Sequence, residues 1–192
     1  MPDPNQAALD FLLTRRSRPA KTLTTPVPDA EALRTLLIAA ARTPDHGKLE
    51  PWRFIVLEQA ALRRLSTLAQ ERARALNHDQ DKVDKVGAMF ANGHLSVAVV
   101  ASPKPSQKIP EIEQTLSAGA ACLALLNAAL ASGWGANWLT SFCALDREFL
   151  TKGLSLQPTE FVAGFIHIGS ETATPPERPR PDIDSLTTWV SQ

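Results

Sequence analysis

Residues 113–132, EQTLSAGAACLALLNAALAS, decide the fold. Apolar and small side chains fill almost every side of the helix they predict. A run of this length can cross a bilayer, but Glu113, Gln114, Ser117 and Asn127 argue against that. A helix apolar all round is otherwise buried in a large core or in a subunit interface, and in a chain this short an interface is a serious option. The next residues, GWGANWLTS (133–141), read as strand or loop.

Upstream, NQAALDFLLTRR (5–16) predicts a short helix with Ala8, Leu9, Leu12 and Leu13 inward and a basic last turn. RSRPAKTLTTPVP is a loop. DAEALRTLLIAAAR (29–42) is amphipathic through Leu33, Leu36, Leu37, Ala40 and Ala41, with acids at its start and Pro44 to stop it. WRFIVLE (52–58) reads as a strand and 59–77 as a helix. Residues 78–94 are polar and weakly patterned, which suggests a mobile cover with a short helix. LSVAVVA (95–101) is a buried strand, followed by the loop PKPSQKIPEIEQ. Downstream, Asp146 caps a short helix REFLTKG that Gly153 ends. EFVAGFIHIGS (160–170) is apolar on both faces, so it is a central strand, with Phe161, Ala163, Phe165 and His167 on one side. The order of elements predicts a sheet between helices, in an α+β or α/β sandwich.

The chain has 192 residues, which suits one domain over 1–192, with a Pro-rich extended arm from about residue 172. Leu186, Trp189 and Val190 in that arm pack on this protomer or on a partner. Formal net charge is zero, so nucleic acid and anionic membrane are not expected partners. Cys122 and Cys143 are too few for a disulfide framework and read as core residues of a reducing compartment. No signal peptide is evident, and the expected location is the cytoplasm.

Three motifs carry chemistry. In RRSR (Arg15–Arg18), planar guanidinium donors and a hydroxyl suit a phosphate, although basic helix ends are common without one. In DHGKLEPW, His46 is a candidate acid, base or hydrogen-bond donor with Asp45 or Glu50 as partner; on these letters alone an ordinary loop held by a capping Asp is the plainer reading. In GWGANW, glycines let backbone approach a flat ligand, or simply make a tight turn. The four histidines are scattered and no C-x-x-C is present, so no metal is expected. There is no Rossmann fingerprint, P-loop or nucleophile elbow.

In this order the pieces resemble the nitroreductase family of flavoproteins. RRSR after a first helix is similar to its R-R-S phosphate motif. AAARTPDHGKLEPWRFIVL looks like its second-helix end, ligand loop and P-W strand. EQTLSAGAACLALLNAALASGWGANW resembles its interface helix and G-x-G-x-x-W, and LTKGLSLQPTEFVAGFIHIG its final strand. The resemblance implies an α+β three-layer sandwich with a mostly antiparallel central sheet flanked by helices, an intertwined homodimer, and FMN at each subunit interface. NAD(P)H would reduce the flavin, which then reduces a nitro, quinone or similar small acceptor. Arg15 and Ser17 would hold the phosphate, with Arg16 nearby. Arg42 and His46 would reach the flavin or its ribityl chain from the other subunit, and Trp138, Leu139 and Thr140 would lie along the ring or phosphate. No catalytic side chain is implied, because the flavin carries the chemistry; His46 is the one candidate proton or hydrogen-bond donor. Two departures stand out. Lys48 and Glu50 replace the usual amides before P-W, and Leu139 replaces an Arg, for which Arg178 or Arg180 would substitute. Dehalogenation, ene reduction, azoline oxidation or flavin fragmentation on the same fold, or a non-enzymatic FMN-binding dimer, are the alternatives.

Overall fold

The computed structural model describes residues 3–191. Met1, Pro2 and Gln192, which the expected 1–192 domain included, lie outside them. Helix α1 (Gln6–Thr14) starts at Asn5, whose side chain accepts from the Ala8 amide at 3.1 Å. It ends two residues earlier than expected, because Arg15 turns to φ −56°, ψ 143°. The arginines therefore lie beyond the helix rather than in its last turn. Its apolar stripe also does not face inward: none of its residues is buried, and Leu13 is 69% exposed. Periodicity reports that a face requires cover, not which surface covers it.

After the two-residue strand β1 (Leu23–Thr24), Asp29 caps α2 (Ala30–Ala40) by accepting from Ala32. Strand β2 (Trp52–Glu58) leads into α3 (Gln59–Ala75). Residues 78–94 correct the expectation of a mobile cover. They hold α4 (Gln80–Ala91), capped by Asp79, with Val83, Val86, Gly87 and Phe90 buried against α3. That i, i+3, i+4, i+7 spacing is a full core-facing stripe, masked by the charges between its members. Strand β3 (Leu95–Ala101), α5 (Glu111–Ala131) and β4 (Gly135–Leu139) follow, then α6 (Arg147–Leu154) with Asp146 as its cap. Gly153 does not end α6; Ser155 does, in the left-handed region at φ 55°. Gly153 instead lets Leu65 approach, since a Cβ there would lie 2.8 Å from its Cδ2.

Strand β5 (Phe161–Glu171) is central, as expected. It pairs with β3 along one side and β4 along the other; β2 lies beyond β3, β1 pairs with the end of β5, and every pair is antiparallel. Helices α3, α4 and α6 cover one face over Phe165, while α2 and α5 cover the other over Ile166 and Ile168. Alternation along β5 breaks near its start. The β3–β5 register shifts between Val99 and Val100, so Val162 joins the cluster of Phe165 and Ala163 packs on the opposite side. One extra residue in a strand locally disrupts the alternation, while Phe161 stays on the side of Phe165.

Helix α5 is long and apolar enough to cross a membrane by length and composition. Eight of its residues, among them Ala118, Cys122 and Leu125, are instead buried in the protein. Its outer stripe, with Ile112, Leu116 and Leu123, is exposed. Beyond β5 the chain forms an arm with one short helix, α7 (Ile183–Leu186). Leu186, Trp189 and Val190 do not pack on this protomer, and Trp189 is 89% exposed.

Candidate functional site

The end of α1 and the arm meet at β4. The Arg18 amide donates to the Ala136 carbonyl at 2.8 Å, and the Asn137 side-chain amide donates to the Arg18 carbonyl at 2.8 Å. These bonds fasten RRSR to the edge strand. Arg18 is neutralised by Glu171, and Arg15 Nη2 donates to Ser17 Oγ at 3.2 Å. Arg16 Nη2 reaches the Pro176 carbonyl at 2.8 Å and so draws the arm in. The result is a cavity of about 680 Å³ lined by Arg15, Arg16, Ser17, Asn137, Arg178 and Arg180, with prolines between them.

Its electrostatics point to an anion. The Arg15 guanidinium is held below its ordinary value, first by burial and then by the positive charges of Arg180, Arg16 and Arg18. Among the described residues, Arg15 Nε and Arg16 Nε are buried without a hydrogen-bond partner, as is Asn137 Oδ1. Guanidinium groups whose Nε lacks an acceptor, in a cluster of like charge, suit a phosphate. RRSR supplies three of the lining residues and the arm arginines two more; Asn137, the one amide inside GWGANW, also lines the cavity and was not singled out by the sequence.

Three residues further along the chain, a second groove of about 310 Å³ opens between α5 and the ends of β4 and β5. Thr115, Gly119, Thr140, Ser141, Phe161 and Ala163 line it. The groove is narrow and mainly apolar with hydroxyls at its edge, which suits a flat ring. Trp138 lies beside it. Its indole rests on the bare backbone of Gly164, where a Cβ would come within 2.1 Å of Nε1, and Nε1 donates to the Ala163 carbonyl at 3.3 Å. Leu139 pairs with Phe165.

Arg42 and His46 do not join these residues within one protomer. Arg42 lines a separate cavity of about 300 Å³ with Ala120, Leu123, Ala124 and Asn127, on the outward side of α5. His46 sits in a tightly held loop. Ser117 Oγ donates to the Pro44 carbonyl at 2.7 Å and accepts from Trp52 Nε1 at 3.1 Å. The Asp45 carboxylate accepts from the amides of Leu49 and Glu50 and is engaged within its own loop. Gly47, Lys48 and Glu50 all have positive φ, at 71°, 54° and 49°. The His46 ring finds neither Asp45 nor Glu50; its Nδ1 lies 2.8 Å from Glu113 Oε2, in the first turn of α5. No local signal announces that pair, because 67 residues separate its members.

The sequence model of the nitroreductase family matches residues 12–170. The chain belongs to the nitroreductase family. A relative from Escherichia coli K12, named "Putative NAD(P)H nitroreductase YdjA", is 32% identical over 163 residues, covering 85% of this chain and 87% of the relative. A Haemophilus influenzae "Putative NAD(P)H nitroreductase" is 40% identical over 134 residues, covering 69% of this chain and 72% of that one. Among solved structures, a nitroreductase-like protein from Bacillus cereus superposes with a TM-score of 0.79 at 22% identity, over 99% of this chain and 98% of that one. A nitroreductase from Desulfovibrio desulfuricans, solved in complex with FMN, gives 0.74 at 21% identity over the full length of both. The sandwich described above is therefore the nitroreductase fold.

Proposed function

We propose that this nitroreductase-family protein is an FMN-dependent oxidoreductase that accepts hydride from NAD(P)H and passes electrons to a nitro, quinone or similar small acceptor. The observation that carries the reading is the arginine cavity with its unpaired buried donors, lined by Asn137 three residues before Thr140, which lines an apolar groove. A ribityl phosphate joined to a flat ring has that layout. FMN-bound relatives of the same fold support the choice of cofactor.

In this reading Arg15, Arg16 and Ser17 hold the phosphate, with Asn137, Arg178 and Arg180 completing the set. Trp138 and Leu139 shape the strand beside the ribityl chain, and Thr140 lies at the ring. When bound, the flavin supplies the hydride chemistry, so no protein nucleophile is required. The chain's own groups bind, orient and exclude water. Arg42 and His46 enter from a second copy. The exposed apolar stripes of α1 and α5 and the unsupported Leu186, Trp189 and Val190 support an intertwined homodimer with one FMN at each interface. Cys122 and Cys143 are unpaired, and burial pushes both thiols up to about 12, which fits inert core residues in the cytoplasm.

Purified protein should be yellow, absorbing at roughly 450 nm as oxidised flavins do, and should bleach anaerobically with NADH or NADPH. A panel of acceptors then restores the colour. Protein that takes up no FMN when titrated with it would overturn the reading; a yellow protein that neither nicotinamide bleaches would be a carrier instead.

A further inference from the structure

We infer that Glu113 is a positioning residue that holds the neutral imidazole of His46 in its Nδ1–H form, so that Nε2 faces the ligand as a hydrogen-bond acceptor. The argument starts from the 2.8 Å contact between His46 Nδ1 and Glu113 Oε2. An ionised carboxylate only accepts, so the proton of this bond is on Nδ1. A neutral ring carries one proton, and Nε2 is then left with a lone pair. Two features hold the ring in place for this. The Asp45 carboxylate is occupied by the Leu49 and Glu50 amides and does not compete for it. The loop is also seated against α5 through Ser117, and against the segment before α5, where Gly47 packs on Ile109. The other charged groups of these elements are Lys48 and Glu50 in the loop, Lys108 before the helix and Glu111 in its first turn; none of them bonds to the ring.

The consequence is a change of role. A neutral His46 does not donate to the ligand; it receives a hydrogen bond. The ligand group opposite it is a hydroxyl or an imide N–H. On the flavin reading, on which this half of the inference rests, that means a ribityl hydroxyl or the N–H of the pyrimidine edge rather than a carbonyl. The pair is half-exposed, at 65% and 46% for the two side chains, so its effect is one of orientation more than of strength.

Nitrogen NMR of His46, followed upward in pH until its ring signals no longer move, tests both halves. Wild-type protein, with and without FMN, should show Nδ1 protonated and Nε2 bare. In Glu113→Ala the ring should revert toward the Nε2–H form, with FMN affinity reduced about 3- to 10-fold, the value of one ordinary hydrogen bond. Glu113→Gln, whose amide oxygen still accepts, should restore the Nδ1–H signature and most of the affinity. An Nε2–H ring in the wild type, or a ring unchanged in Glu113→Ala, would refute the role of Glu113. If the tautomer behaves as stated in protein that binds no FMN, the pair stands and the flavin reading fails. If the tautomer shifts while FMN affinity does not, His46 does not face the flavin.

Discussion

Arg15 is the residue on which the candidate site most depends. It combines burial, crowding by like charges and a buried Nε that has no partner. Replacing it with Ala should weaken FMN binding about 10- to 100-fold, the worth of a charge-assisted bond, as measured by flavin fluorescence on titration. Arg178→Ala with Arg180→Ala should act in the same direction, and unchanged FMN affinity would remove the arm from the site. His167 presents a different case. Burial holds its imidazole down at about 4, and neither ring nitrogen has a partner. Between about pH 6.5 and 4 the unfolded chain takes up a proton that the folded chain refuses. Stability is therefore complete above about pH 6.5 and falls with pH, by about 3 kcal/mol at the lower limit. Urea denaturation across that range should show the fall in wild type, and His167→Leu should flatten it. Glu160, held at about 2 first by its bond to Arg53, loses its own contribution only at more acid pH.

Helix α4 marks the boundary of what the sequence discloses about elements. Its stripe of Val83, Val86, Gly87 and Phe90 was present in the letters but diluted by Asp and Lys, so the segment reads as polar cover. Packed as it is, amide exchange at residues 83–90 should be slowed to a degree comparable with α3; exchange as fast as in the arm would show that the packing is only transient. Strong signals such as the apolar run of α5, the apolar strand run of β3 and the Asp caps were legible, because each is local and has one common structural outcome. The bulge between Val99 and Val100 was not, because it depends on a partner strand over 60 residues away. The cavities follow the same division. RRSR was visible as a cluster of donors, but only folding brings Asn137 and the arm to it, and only folding gives His46 to Glu113.

On the scale of the whole molecule, the surface is incomplete in one protomer. The stripes of α1 and α5 and the end of the arm expose Leu12, Leu13, Leu116, Leu123 and Trp189. On the proposed dimer, Leu116→Lys should give a monomer in sedimentation or light scattering, with the loss of bound FMN but not of secondary structure. A dimer that persists would move the interface away from α5. The arginine cavity also has a consequence for how the protein is made. Its walls come from opposite ends of the chain: Arg15–Ser17 from the start, and Pro175–Pro181 from the end, drawn in by the bond of Arg16 to Pro176. A nascent chain on the ribosome holds one wall and lacks the other until residues 175–181 have been added. On the proposed reading, anion loading waits for that segment, and a product terminated before residue 175 lacks half of the cavity.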